Sequence, residues 1–71
     1  MKFVPERLEV AAGDRITWIN VDFVPHSVTS PKLESGDLAQ NARWSWTVRG
    51  KGEMAYICRL HPMMRAVVVV R

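Results

Sequence analysis

The strongest constraint on the fold is a two-residue alternation of apolar and polar side chains in short segments along the chain. Leu8–Val10 alternates in this way and ends at the turn residues 11–14. Arg15–Asn20 follows, is rich in β-branched and aromatic residues, and places Ile16 and Trp18 on one face. The same criteria predict further strands over 27–30, 44–48, 54–58 and 67–70. Several short strands separated by turns predict an all-β fold, a small sandwich or barrel.

Four segments add detail to this prediction. The strand over 44–48 is expected to point its tryptophans and its valine inwards. Gly50–Gly52 predicts a hairpin that joins this strand to the next one. Val67–Val70 is apolar on both faces, so we expect it to lie between two neighbouring strands. Lys32–Arg43 is compatible with either a helical turn or an irregular loop.

The length of 71 residues predicts a single domain over residues 1–71. A domain of this size buries only about 60–65% of its unfolded surface, so we expect a compact core or the support of a metal or partner. No apolar run approaches the roughly 20 residues of a membrane helix, so membrane insertion is not expected. The ten basic and seven acidic residues are scattered along the chain, a pattern that does not favour nucleic acid as a partner.

The residues that carry chemistry are concentrated in one short segment. Cys58, His61 and Met64 form a C-x-x-H-x-x-M pattern at the end of a predicted strand and the start of a turn. A second histidine, His26, stands upstream at another junction between loop and strand. A thiolate, two imidazoles and a thioether suit copper in both of its oxidation states, and together describe a blue-copper electron-transfer centre.

Other interpretations of these residues stay open at this point. A lone cysteine is usually a small buried apolar residue, a lone histidine is more often a surface residue than a ligand, and C-x-x-H alone is a weak motif. Zinc is an alternative metal for the same donors. The three tryptophans are a possible stacking surface for single-stranded nucleic acid, although their alternation favours the core.

The same residues resemble the cupredoxin family of blue copper proteins, most closely its amicyanin, pseudoazurin and plastocyanin branch. The resemblance is carried by four segments in the family's order and spacing, at 13–20, 25–28, 56–64 and 67–70. It implies a cupredoxin-like Greek-key β-sandwich. It also implies that His26, Cys58 and His61 are equatorial copper ligands and that Met64 is the axial ligand, whereas Met63 is not a ligand.

The resemblance further implies a function. The protein is expected to be a type 1 copper protein, not an enzyme, that carries single electrons between redox partners, with copper trafficking or storage as the alternative. A partner is expected to dock at the patch formed by His61, Pro62 and Met63. Cupredoxins of this kind usually work in the periplasm or elsewhere outside the cytoplasm, although the sequence carries no recognisable signal peptide.

Three departures from the family pattern are visible. Ser27 replaces the usual asparagine after the first histidine, and we expect its backbone N–H to donate to the Cys58 sulfur. Leu60 stands where amicyanins usually have proline, which makes one more backbone N–H available to the thiolate. The family's first strand is expected to be missing before Met1, and an unpaired strand edge would permit either a monomer or a dimer.

Overall fold

The computed structural model describes residues 1–71, which form seven β-strands and no helix. Accordingly, the chain has no helix with the length and apolar character needed to cross a membrane. The strands are β1 Arg7–Val10, β2 Arg15–Ile19, β3 Thr29–Ser30, β4 Leu33–Glu34, β5 Arg43–Thr47, β6 Gly52–Cys58 and β7 His61–Val70. They build a five-stranded sheet in the order β1-β7-β6-β3-β4 and a two-stranded sheet of β2 and β5. The prediction of an all-β sandwich is confirmed.

The core lies between the two sheets and follows the predicted alternation. In β2, Ile16 is buried and Trp18 half-buried, whereas Thr17 and Ile19 are exposed. The other tryptophans are also partly buried and pack against the core, so all three contribute to packing. The buried core cluster consists of Val10, Ile16, Val28, Leu33, Val48, Tyr56, Ala66, Val68 and Val70.

Strand β7 is an interior strand of the larger sheet, next to the edge strand β1. It runs parallel to β1 and antiparallel to β6, so Val67–Val70 lies between two neighbours, as predicted. The strand is longer than the apolar run indicates, because its pairing with β6 continues back to His61. Its N-terminal half therefore connects the core directly to the segment that carries the candidate metal donors.

The predicted hairpin at Gly50–Gly52 is wrong. Strand β5 pairs with β2, whereas β6 pairs with β7 and β3, so the turn carries the chain from one sheet to the other. Gly50 and Gly52 have positive φ angles of 75° and 113°, which explains why glycine is favoured at this sheet crossing.

The segment Lys32–Arg43 forms no helical turn. It contains the short strand β4 and a single bridge in which Leu38 pairs with His26. The backbone amide of each of these two residues donates to the carbonyl of the other. The segment therefore follows the irregular alternative and packs against the loop that carries the upstream histidine.

We expect Val68→Ala to destabilise the fold by about 2 kcal/mol. The Val68 side chain is fully buried in the core, and truncation removes apolar contacts and leaves a cavity. The matched control is Val69→Ala on the opposite face of β7, where the side chain is only half-buried. Urea unfolding measures both changes, and equal losses in the two variants would contradict the placement of Val68 in the core.

Candidate metal centre

Two of the predicted donors lie at the end of the β6–β7 hairpin. Cys58 is the last residue of β6, His61 is the first residue of β7, and the two are paired across the hairpin. A register irregularity between Ile57 and Cys58 precedes this pair. A regular strand alternates its side chains between faces, so an irregularity here changes the direction of the cysteine side chain.

His26 reaches the same point from a different part of the chain. Its backbone is fixed by the bridge to Leu38. The residue is only 7% exposed, and its ring lies beside the end of the hairpin. The Nδ1 atom of His26 lies 3.5 Å from the Cys58 sulfur, and the Nδ1 atom of His61 lies 3.6 Å from it. One donor atom from each of the three residues lies within 4.8 Å of the other two. The structure thus brings together residues that are far apart in the sequence.

The Cys58 sulfur occupies an environment that favours a thiolate. The side chain is fully buried, which by itself would raise the pKa of the thiol. The Ser27 amide, which donates a hydrogen bond at 3.4 Å, and the nearby rings of His26 and His61 outweigh burial and lower the pKa to about 6. At neutral pH this cysteine is therefore largely ionised, which is the state that binds metals.

Ser27 connects the two segments that carry the donors. Its amide donates to the Cys58 sulfur, as predicted, and its hydroxyl accepts a 2.8 Å hydrogen bond from the Arg59 amide. The residue is completely buried, so both hydrogen bonds are protected from water. The expected contact of the Leu60 amide is replaced by one from the backbone of His61, which also lowers the pKa of Cys58.

The two adjacent methionines have opposite environments. Met64 is buried and lines the same cavity as His26, whereas Met63 is 91% exposed at the surface. The alternation of β7 produces this difference, because successive side chains of a strand point to opposite faces. A third methionine, Met54, is partly buried and packs against the core.

The turn between the two hairpin donors is fixed by a group of charged side chains. Arg59 lies 2.7 Å from Asp37 and 3.4 Å from Glu34, which places both carboxylates next to the turn. Hydrogen bonds from the Gly36 amide and from Arg59 hold the pKa of Glu34 below its usual range. Sequence reasoning missed this group, because nothing in the pattern pairs 34–37 with residue 59.

A further acidic residue that sequence reasoning missed contacts His26 directly. The Oδ2 atom of Asp22 lies 2.7 Å from Nε2 of His26, on the side of the ring that faces away from Cys58. The spacing of four residues was the only available signal, and it is not specific in a loop. The donor set itself, a thiolate with two imidazoles and a buried thioether that lines the same cavity as His26, fits copper by its chemistry.

The family of the chain follows from comparison with known proteins. All residues from 1 to 71 match the family described as copper binding proteins, plastocyanin/azurin family. The protein is a cupredoxin. Amicyanin-alpha of Methylorubrum extorquens is 32% identical over 77 residues, and amicyanin of Paracoccus denitrificans is 34% identical over 77 residues. These alignments include 99% of this cupredoxin but only 65% and 59% of the two relatives.

Solved structures agree with this assignment. An oxidised amicyanin with a proline-to-alanine substitution superposes with a TM-score of 0.93 at 33% identity, covering 100% of this chain and 74% of the other. The Cu(I) form of an amicyanin with a methionine-to-alanine substitution gives the same TM-score, identity and coverage. The cupredoxin fold is therefore confirmed, and copper is the metal that the family and the donor set support.

We expect acid to destabilise the wild-type protein more than a Glu34→Gln variant. Because the folded-state pKa of Glu34 is lowered, its interactions stabilise the fold above the unfolded pKa of about 4.3 and are lost as pH falls through the folded value. Glutamine does not titrate, so the variant lacks this contribution to the pH dependence. The free energy of unfolding measured between about pH 6 and 3 tests this, and parallel curves would contradict it.

Proposed function

We propose that this cupredoxin binds one copper ion through His26, Cys58, His61 and Met64 and carries single electrons between redox partners. The observation that supports it best is that two ring nitrogens and the Cys58 sulfur lie within 4.8 Å of one another and that the pKa of this thiol is lowered. Met64 is the proposed axial ligand, because it is buried and lines the cavity next to His26. Copper bound there supplies a one-electron couple between Cu(I) and Cu(II).

The protein's contribution is to hold these side chains still. Cys58 is locked by hydrogen bonds from its surroundings, and the backbone of His26 is held by its bridge to Leu38. His61 is the first residue of strand β7, which continues into the core. Donors held this firmly change little when the charge at the site changes, which favours fast electron transfer. Four protein donors leave no open position for a substrate, so we propose an electron carrier and not an enzyme.

We propose that the redox partner docks where His61 reaches the surface. The ring of His61 is half-exposed, and Pro62 and Met63 beside it are exposed apolar residues. Leu60, 39% exposed, extends this apolar area on the other side of the histidine. A small apolar surface around a donor edge suits the brief encounters of electron-transfer proteins.

Further features of the function are proposed from the family. Residues 1–71 act as one copper-carrying domain, and the protein works in the periplasm or elsewhere outside the cytoplasm. It works as a monomer or as a dimer formed through an unpaired edge of the two-stranded sheet, since β2 and β5 pair only with each other.

Cys58→Ser is expected to abolish the visible absorption of the copper-loaded protein and nearly all of its reversible redox activity. The alcohol of serine does not replace the thiolate, whose bond to the metal produces the colour. Absorption spectra and voltammetry of wild type and variant measure both losses. A variant that remains blue would exclude Cys58 as a ligand. A wild type that passes on Cu(I) rapidly and has no stable Cu(II) form would indicate trafficking.

Met64→Gln is expected to keep the colour and lower the reduction potential. An amide oxygen in the axial position favours Cu(II) more than a thioether does. The matched control is Met63→Gln, because this neighbour is 91% exposed and is not a proposed ligand. Voltammetry compares the two variants, and a lowered potential in Met63→Gln alone would reverse the assignment of the axial ligand.

A further inference from the structure

The ring of His26 is contacted by polar groups on both of its nitrogen atoms. Nδ1 faces the Cys58 sulfur at 3.5 Å, and Nε2 lies 2.7 Å from the carboxylate of Asp22. An ionised carboxylate can accept hydrogen bonds but cannot donate them, so Nε2 of His26 is the donor in this contact. The lone pair of Nδ1 is thereby directed towards the metal donors when the ring is neutral.

The position of Asp22 is fixed by a buried asparagine. The Asn20 side chain donates two hydrogen bonds, to the Val24 carbonyl at 2.9 Å and to the Leu38 carbonyl at 2.7 Å. Its Oδ1 atom accepts a 2.8 Å hydrogen bond from the amide of Asp22. Asn20 is only 6% exposed and satisfies every polar atom of its side chain in this way. These hydrogen bonds therefore fix the loop between β2 and His26 and, with it, the position of Asp22.

The second histidine is held differently. The Nδ1 atom of His61 contacts the Cys58 sulfur, and the ring is half-exposed at the surface. Asp22 itself is 43% exposed, so the long-range effect of its charge is screened by water and salt. Its direct hydrogen bond to a buried ring is not screened in this way. The structure thus distinguishes one imidazole, which has an anionic partner, from the other.

We propose that Asp22 is a positioning residue that fixes the tautomer of His26 and lowers the reduction potential of the metal centre. An anion that accepts the Nε2 proton makes Nδ1 a stronger electron donor, which stabilises the more highly charged Cu(II) more than Cu(I). Removing the anion therefore raises the potential. This proposal rests on the proposed copper site and identifies a residue outside the four donors that adjusts it.

The test compares Asp22→Asn with wild type in the copper-loaded protein. Asparagine keeps the shape and one acceptor oxygen but removes the negative charge. Loss of a partner of this kind typically costs 10–100-fold in metal affinity, so we expect about a tenfold weaker affinity for Cu(II) relative to Cu(I). For a one-electron couple this corresponds to a rise of about 59 mV in potential. Voltammetry and chelator competition measure the two quantities independently.

The matched control is Glu53→Gln, which removes an equal charge from the exposed far end of β6. It is expected to leave both quantities unchanged, because Glu53 has no contact with either histidine. If Asp22→Asn behaves like this control, the electronic role of Asp22 is overturned.

A measurement on the zinc-loaded protein separates this proposal from the function itself. We expect NMR to detect a slowly exchanging Nε2 proton on His26 in wild type and its loss in Asp22→Ala. A wild type that shows this proton when loaded with zinc but has no blue colour when loaded with copper would reject the electron-transfer function and retain the positioning role. A wild type in which His26 carries its proton on Nδ1 would overturn the positioning role.

Discussion

The pairing of β6 with β7 links the apolar core to the candidate metal centre. It brings Cys58 and His61 face to face at one end and continues into the most buried part of the core, around Val68, at the other. Because β7 also pairs with β1, its register is set from both sides. A slip of one residue would exchange the buried and exposed faces of the strand, so the apolar core indirectly fixes the position of the donors.

The buried thiolate is the group whose energetic cost shapes the site. An anion in an apolar environment is unfavourable unless hydrogen bonds replace its hydration. Here the Ser27 amide donates a hydrogen bond to the sulfur, two imidazoles lie within 3.6 Å of it, and the Ser27 hydroxyl accepts a hydrogen bond from the Arg59 amide. Ser27 therefore both stabilises the sulfur and holds the two segments that carry the candidate donors together.

Most of the fold and the main donors could be predicted from the sequence. Alternation located the longer strands, and the C-x-x-H-x-x-M spacing together with the family resemblance identified the candidate ligands. The hairpin at Gly50–Gly52 was predicted wrongly, because turn residues indicate where a chain bends but not which sheet the next strand joins. Asp22 and the partners of Arg59 were missed because their contacts depend on tertiary structure between segments without periodicity.

The distance along the chain between His26 and Cys58 has a consequence for folding. The two residues are separated by 32 positions, and an ion held by both would close that loop as a covalent crosslink does. The chain has one cysteine and so cannot form an internal disulfide. In a domain this small, the bound metal would stabilise the folded state as a crosslink does. Removal of the metal by a chelator would therefore lower the free energy of unfolding.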